Sequence, residues 1–364
     1  MARTETDRCP GVLAVHQAAD GGLARVRLPG GWLTAEQLDV LRVAAAGLGD
    51  GRLELTSRAN VQIRGLDARG PRELSDRLFK SGLLPSIAHE RVRNILASPL
   101  SGLDDESRYD VLPLAGALDR ALCDRPGLAE LPGRFLFALD DGRGDLADVR
   151  ADVAVRALDE RSAVLSLGNR GVRIGWGQVP DLMLAAAEAF LEVRDQEWRI
   201  AEVPDGEKRI LARLGLTADE PLDTSTTQVT AGVHGTAQVV TVPLGSLTQP
   251  QATALAAAAG TTGVRVTPWR SVVVEVGAAG LEEVGLVTEA DSVWEGVTAC
   301  AGRPGCAKAL ADVRADAVRL MPTFARDGRR VHWAGCARRC GKPSGGFVDV
   351  VAVGDGYLVD GERV

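Results

Sequence analysis

The sequence predicts an α+β protein made of two halves of similar plan that pack about a pseudo-twofold axis. A repeated unit supports this fold class, and a group of cysteines marks one half. A strand–helix–strand unit occurs twice, at 26–66 and at 240–276. Four of the six cysteines lie in two short stretches near the C-terminus, at 300–306 and 336–340. Chance likeness of the two units is the alternative, because Ala-rich helices that begin at threonine are common.

Each unit shows the same order of local signals. A β-rich run ends in Leu-Thr, and the pairs Thr34/Gln37 and Thr248/Gln251 have capping-box spacing, which predicts a helix start. An Ala-rich helix follows and ends at glycine. An alternating strand then completes the unit, and in the first copy it is predicted over 53–63.

Further strands follow each copy. Segment 133–168 contains strands separated by turn residues, and 345–361 is predicted to form a hairpin. Residues 178–230 begin with a helix and continue with polar stretches, so we interpret them as the connection between the halves.

Composition and charge exclude several classes of function. The chain has 364 residues and a net charge of −7 without a long basic run, so nucleic acid is not an expected partner. The sequence has no long apolar run and no signal-peptide core, so we expect a soluble, cytoplasmic protein without membrane association. In a reducing cytoplasm, paired cysteines favour metal or redox chemistry over structural disulfides.

The paired cysteines favour an iron–sulfur cluster. The spacing is C-x5-C followed by C-x3-C, formed by Cys300, Cys306, Cys336 and Cys340. Structural zinc sites generally use shorter knuckles, whereas four thiolates from two segments suit a cluster. Zinc and buried free thiols remain open as alternatives. Cys9 and Cys123 are distant in sequence, and we interpret them as ordinary residues.

The segment between the two cysteine pairs predicts a helix and then a strand. One helical face is formed by Leu310, Val313, Ala317 and Leu320. The strand "RRVHW" then leads to Cys336. We interpret His332 on this strand as a packed or solvent-touching residue rather than a ligand.

The predicted strand 53–63 carries a row of polar side chains. Alternation places Arg58, Asn60 and Gln62 on one face, and Arg64 continues the same parity. Bidentate arginine–carboxylate bonds would suit a ligand with several carboxylates, and a solvated strand face is the alternative. The second copy lacks this row, so we expect one functional and one vestigial site.

The cysteine pattern, the stretch "TSRANVQIRG" and the duplicated halves together resemble the sulfite and nitrite reductase superfamily over nearly the whole chain. Within it, "ACAGRPGCAKALADVRADA" and "VHWAGCARRCGKP" are most similar to the precorrin-3B synthase family. The resemblance implies a duplicated sulfite/nitrite reductase-like fold with a [4Fe–4S] cluster on the four cysteines. In the reductases the last of these cysteines also bridges to a sirohaem iron.

The resemblance also implies a division of the chain into four parts. Two ferredoxin-like half-domains are expected at 10–75 and 226–290. A first iron–sulfur/tetrapyrrole-type domain with linker is expected at 76–225, and a second, [4Fe–4S]-binding domain at 291–364.

The resemblance also implies that three further residues bind the tetrapyrrole. Arg93 and Asn94 match an Arg-Asn pair that helps the reductases hold the tetrapyrrole and its anion. In "LPGRFLF", Arg134 matches the first of two lysines that grip the oxyanion, and Leu136 stands where the second belongs. Loss of that cation favours an oxygen-using tetrapyrrole enzyme over a sulfite or nitrite reductase.

The expected function follows from the same resemblance. It is a monooxygenase-type oxidoreductase of cobalamin biosynthesis that converts precorrin-3A and O2 to precorrin-3B by ring hydroxylation and lactone formation. Sirohaem is not favoured as a cofactor. The sequence has no nicotinamide-binding motif, so a separate reductase or ferredoxin is the expected electron donor. The alternatives are a sirohaem-dependent sulfite or nitrite reductase and a non-catalytic iron–sulfur redox protein.

Overall fold

The computed structural model describes residues 9–218, 220–324, 328–343 and 345–363. In these residues helices α1–α7 lie at Ala35–Leu48, Gly70–Lys80, Leu112–Cys123, Val179–Val193, Gly206–Arg213, Gln249–Ala257 and Val313–Leu320. Strands β1–β10 lie at His16–Ala18, Gly21–Val26, Trp32–Leu33, Leu53–Leu55, Val61–Leu66, Ile95–Ala97, Phe137–Asp140, Val153–Ala157, Ser162–Leu167 and Arg170–Gly175. Strands β11–β20 lie at Gly232–His234, Ala237–Thr241, Ser246–Leu247, Val264–Val266, Ser271–Glu275, Val297–Ala299, Val331–Ala334, Val348–Val353, Gly356–Val359 and Glu362–Arg363.

Two five-stranded sheets exchange their edge strands. Their orders are β1-β2-β5-β4-β13 and β11-β12-β15-β14-β3. Strand β13 of the second copy therefore pairs with β4 of the first, and β3 of the first copy pairs with β14 of the second. Helices α1 and α6 pack against each other, and one apolar core draws residues from both copies.

The other two sheets repeat one topology. Their orders are β10-β9-β8-β7-β6 and β16-β17-β18-β19-β20. In each sheet the first two pairings in chain order, β6·β7·β8 and β16·β17·β18, are parallel and the last two are antiparallel. Each of these two sheets contributes to a separate hydrophobic core. The predicted α+β class and the duplicated plan are therefore confirmed.

Both predicted helix starts are confirmed. Thr34 begins α1 and Thr248 begins α6, and each hydroxyl accepts the backbone N–H of the glutamine three residues later. Each glutamine side chain in turn accepts the backbone N–H of its threonine, which completes a capping box. The predicted hairpin near the C-terminus is present as β18 and β19.

The predicted strand over 53–63 is wrong, because a tight turn at 56–60 separates β4 from β5. The Thr56 hydroxyl accepts the backbone N–H groups of Arg58 and Asn60, and Ala59 adopts a positive φ of 51°. A side-chain oxygen that bonds to nearby backbone N–H groups favours a turn over a strand. The predicted alternation of polar side chains therefore applies only to Gln62 and Arg64, which lie on β5.

Two further segments differ from expectation. The predicted connection contains a second helix, α5, which is polar overall but buries Ile210 and Leu211. Helix α7 begins at Val313, so Leu310 precedes it and is largely exposed. No helix within the described residues is long and apolar enough to span a membrane.

Candidate functional site

Two loops bring the four predicted ligand cysteines together. Cys300 directly follows β16, and Cys336 follows the neighbouring parallel strand β17 after one intervening glycine. The N–H of that glycine, Gly335, donates to the Sγ of Cys300 over 3.1 Å. The Leu310 N–H donates to the Gly335 carbonyl over 2.8 Å, which fastens the end of the first loop to the second.

The thiols are close enough to influence each other's charge. Burial raises the pKa of the Cys340 thiol, Arg338 opposes this shift, and the other three thiols raise that pKa further. All four are free and none is fully buried. Four clustered thiols, with a backbone N–H donated to one sulfur, suit a shared metal centre, which binds cysteine as the thiolate. The residues present therefore fit an iron–sulfur cluster.

Two arginines that lie outside the two cysteine stretches, at 300–306 and 336–340, donate hydrogen bonds to the backbone of the first stretch. Arg64 on β5 donates to the Gly305 carbonyl over 2.6 Å and forms an ion pair with Asp20. Arg314 on α7 donates to the Cys300 carbonyl and binds Glu54 of β4 with both terminal nitrogens. The sequence predicted a tetrapyrrole-binding role for Arg64, but its guanidinium contacts the cysteine loop.

The first half has the same framework without cysteines. Ser98 follows β6 as Cys300 follows β16, and the Asp141 N–H donates to the Ser98 Oγ over 3.1 Å. This bond is the counterpart of the one from Gly335 to Cys300, at the same length. Among the described residues, the paired cysteines that fit a cluster therefore occur only in the second half.

Carboxylates fill the corresponding position of the first half. Asp140, Asp141 and Asp145 have oxygens within 4.8 Å of one another. Arg143 pairs with Asp141 and also with Asp104, which neutralises part of this charge. Burial, and then the neighbouring Asp140, raise the pKa of Asp145 to about 8. A proton on Asp145 removes one further negative charge, and Arg156 lies 3.9 Å from Asp140.

A second functional feature is a group of three neighbouring cations, Arg25, Arg27 and Arg58, which we call the arginine group. Arg25 donates to the Gln62 Oε1 over 3.1 and 2.6 Å, so Gln62 orients it. The Sγ of Cys9 accepts from Arg25 at 3.5 Å and from Arg27 at 3.7 Å.

Within the arginine group, Arg27 has unpartnered guanidinium nitrogens. Arg27 is only 2% exposed, and its Nε and Nη1 have no hydrogen-bond partner. Burial and the nearby Arg25 lower the pKa of Arg27 to about 9. Burial also lowers the pKa of Arg58 to about 10. A buried cation with unpartnered nitrogens is costly, so the position of Arg27 is suited to an anion from outside the protein.

The Gly133 carbonyl joins several of the predicted site residues. It accepts hydrogen bonds from Arg58 at 3.3 Å, from Asn94 at 3.0 Å and from the Cys9 thiol at 3.2 Å. Asn60 lies beside them, with its Nδ2 3.5 Å from the Asn94 Oδ1. The structure therefore brings Arg58, Asn60 and Asn94 together, with Gln62 linked through Arg25.

Arg93 and Arg134 do not belong to the arginine group. Arg93 is buried and forms a bidentate ion pair with Asp119, at 2.7 and 2.6 Å. Arg134 is exposed and lies over the Trp198 ring at 4.8 Å, while its carbonyl accepts from Arg58. Arg93 is therefore already neutralised by Asp119, whereas Arg134 has no ion pair among the described residues.

Sequence reasoning did not single out Arg25, Arg27 or Cys9. Arg25 and Arg27 lie near the end of β2, and Arg25 pairs with Gln62 in the β2–β5 register. The sequence did contain a signal for the two arginines: they are separated by one residue and directly precede "LPGG". Their strand neighbours the one that carries the predicted polar row. His332 is buried, with its Nδ1 2.9 Å from the Thr298 Oγ1, as the packed interpretation expected.

Comparisons with known proteins agree with this architecture. Residues 16–78 match the family described as nitrite/sulfite reductase ferredoxin-like half domain. The solved structure of the Mycobacterium tuberculosis NirA protein superposes with a TM-score of 0.73 at 21% identity, covering 93% of this chain and 74% of that chain. The chain has the nitrite/sulfite reductase fold.

Sequence relatives add the enzyme class. The chain is 28% identical to the precorrin-3B synthase of Sinorhizobium sp, covering 98% of this chain and 83% of that protein. It is 26% identical to the ferredoxin–nitrite reductase of Synechococcus elongatus, covering 94% of this chain and 78% of that protein. The predicted resemblance is confirmed, and so is the prediction that the chain is an oxidoreductase.

Proposed function

We propose that this chain is a precorrin-3B synthase, a tetrapyrrole oxygenase that converts precorrin-3A to precorrin-3B with O2 in cobalamin biosynthesis. Similarity to a protein of that name over 98% of the chain supports the assignment. The paired, reduced cysteines fit a cytoplasmic enzyme.

The arginine group is the observation that carries the proposal. A precorrin bears many acetate and propionate arms, and its binding site needs cations that converge from different segments. Arg27 supplies a buried guanidinium with two unpartnered nitrogens, next to Arg25 and to Arg58 of the turn at 56–60. Charge-assisted arginine–carboxylate bonds would recover the cost of burying the Arg27 guanidinium.

The four C-terminal cysteines, from Cys300 to Cys340, would hold a [4Fe–4S] cluster. When bound, the cluster would supply one-electron transfer from a separate reductase or ferredoxin. Gly335 would donate its N–H to a ligand sulfur, and Arg64 and Arg314 would keep the first cysteine loop in place. Sirohaem is not required by this proposal.

The proposed reaction balances with one molecule of O2. One oxygen atom enters the macrocycle, where a ring carbon is hydroxylated and an acetate of ring A closes a lactone. The other oxygen atom leaves as water, which takes two electrons and two protons from the donor. The chain's own part is to bind and orient the carboxylate arms.

Leu136 favours this reaction over reduction of sulfite or nitrite. It is 4% exposed and packs in the core that joins the two halves. Its N–H donates to Asp152, which Arg199 neutralises. In the reductases the matching position is a lysine that helps neutralise the oxyanion. An apolar side chain removes that charge, and loss of one such donor can cost about 10²–10³ in rate.

The test is an anaerobic purification with iron, sulfide and optical analysis, followed by three parallel assays with one electron donor. We expect precorrin-3A and O2 to give a product heavier by one oxygen atom, with label from ¹⁸O₂. Sulfite and nitrite should give negligible turnover. Fast reduction of either anion together with no reaction of precorrin-3A would overturn the proposal in favour of the reductase.

A further inference from the structure

The turn between β4 and β5 has a counterpart between β14 and β15. In the second copy the Thr267 hydroxyl accepts the N–H groups of Trp269 and Ser271, each over 3.2 Å. The residue with positive φ is Ala59 in the first copy and Arg270 in the second, where φ is 65°. A long side chain in this backbone region is uncommon, and such outliers concentrate at functional positions.

Arg270 reaches the second cysteine loop. Its Nη2 donates to the Gly341 carbonyl over 2.8 Å, and Gly341 directly follows Cys340. Gly341 has a φ of 80°, and a Cβ at this position would lie 2.9 Å from the same Nη2. Glycine therefore permits both the turn and the close approach of the guanidinium.

The charge of Arg270 is not balanced by an ion pair within the described residues. The Glu54 carboxylate attracts the Arg270 guanidinium, but both oxygens of that carboxylate accept hydrogen bonds from Arg314. Burial lowers the pKa of the Arg270 guanidinium, and the nearby Arg314 acts in the same direction. Arg64 and Arg314, which contact the other cysteine loop, each have a carboxylate partner. Arg270 is thus the net cation among these three.

We propose that Arg270 positions the loop of Cys340 and raises the reduction potential of the iron–sulfur cluster. This inference rests on the cluster assigned in the proposed function. Reduction adds one electron to a centre that already carries four thiolates, so a nearby unbalanced cation stabilises the reduced form. The hydrogen bond to Gly341 additionally fixes the backbone next to a ligand sulfur, as outer contacts of metal sites do.

The experiment compares four proteins reconstituted anaerobically with iron and sulfide: wild type, Arg270→Gln, Arg270→Lys and Arg319→Gln. Arg319→Gln is the matched control, because it removes the same charge from an exposed side chain paired with Asp316. Two quantities are measured: the midpoint potential, by redox titration followed with electron paramagnetic resonance, and the rate of iron loss to a chelator.

We expect Arg270→Gln to lower the ratio of reduced to oxidised cluster at fixed potential about tenfold, or about 59 mV for one electron. Iron should also be lost faster. Arg270→Lys should keep most of the potential, because it keeps the charge, and Arg319→Gln should behave as wild type. A Gln variant that cannot retain a cluster, beside a control that can, would be the extreme of faster loss and would support the proposal.

Two outcomes separate this inference from the function on which it rests. A wild-type protein that binds no iron and sulfide would contradict the cluster itself. A wild-type protein with a full cluster, beside an Arg270→Gln variant with unchanged potential and unchanged iron loss, would overturn the role of Arg270 alone.

Discussion

Arg27 carries a buried charge for which the described residues provide no carboxylate partner. Replacing it with methionine, which is similar in length, should raise the stability of the ligand-free protein, because an unpartnered buried cation is removed. The same change should weaken binding of precorrin-3A by about 1.5–3 kcal/mol for the lost charge-assisted bonds. Thermal unfolding and equilibrium binding measured on one preparation test both signs.

Arg93→Ala is the matched comparison for Arg27→Met. It removes one partner of the buried bidentate pair with Asp119, so it should destabilise the fold by about 3–5 kcal/mol. Tetrapyrrole binding by the folded fraction should change little. If Arg27→Met lowers stability and leaves binding unchanged, the arginine group is a structural feature and not a carboxylate site.

The cysteine assignment is tested one residue at a time. Serine in place of Cys300, Cys306, Cys336 or Cys340 should abolish the broad visible absorption of a cluster held by four thiolates. Serine at Cys123, which lies on α3 with its thiol pKa raised by burial, should leave iron and sulfide content unchanged. A Cys336→Ser protein with full iron and sulfide would contradict the assignment.

The identity of single residues could be predicted where the chemistry lies in the side chain itself. Spacing alone grouped the four cysteines, and the structure places their loops in contact. Partners could not be predicted: Arg64 and Arg93 have the same chemistry as Arg58, but Asp20 and Asp119 bind them. These carboxylates are 44 and 26 residues distant in sequence, and no local pattern reports such pairs.

At the scale of elements, the turn at 56–60 was missed although the sequence contained a signal for it. The first copy reads "LTSRANV" and can be mistaken for an alternating strand. The second copy has Pro268 in the corresponding turn, and proline disfavours a central strand. Because the two copies share one plan, a turn signalled by Pro268 in the second copy also indicates the turn at 56–60 in the first.

The paired loops of the first half make a prediction about pH. Asp145 is buried, accepts from the Ser98 hydroxyl at 2.6 Å and has a pKa raised to about 8, whereas an unfolded aspartate has a pKa near 4. Between these values the folded state binds more protons than the unfolded state. Stability therefore falls as pH rises through this window, by at most about 1.4 kcal/mol per pH unit.

Asp145→Asn resembles the protonated acid and does not titrate. The free energy of unfolding of this variant should exceed that of the wild type by a margin that grows from pH 5 to pH 8 and then stays constant. Denaturant titrations of both proteins at four pH values measure the margin. A margin that is independent of pH would show that Asp145 is already ionised in the folded protein.

At the scale of the whole molecule, the duplicated plan could be predicted but the exchange of strands could not. The repeat is visible in local signals. Strands β3 and β13 could each pair with the sheet of either copy, because the two copies present similar sheet edges, and the structure pairs β3 with β14 and β13 with β4. One consequence is that Arg64 and Glu54 of the first copy lie under the cysteine loops of the second half. Residues of the first copy thereby contact the segment that would hold the proposed cluster.

The exchanged strands also predict that the two halves unfold together. Leu33 on β3 and Leu247 on β13 are 0% and 2% exposed, and both belong to the core shared by the two copies. Replacing either with alanine should cost about 2–5 kcal/mol. Because each strand completes the sheet of the other half, we expect one calorimetric transition that moves as a whole in both variants. Leu13→Ala, at a 42% exposed position, is the control and should leave it in place. Two transitions of which only one moves would show that the halves are independent folding units despite the exchange.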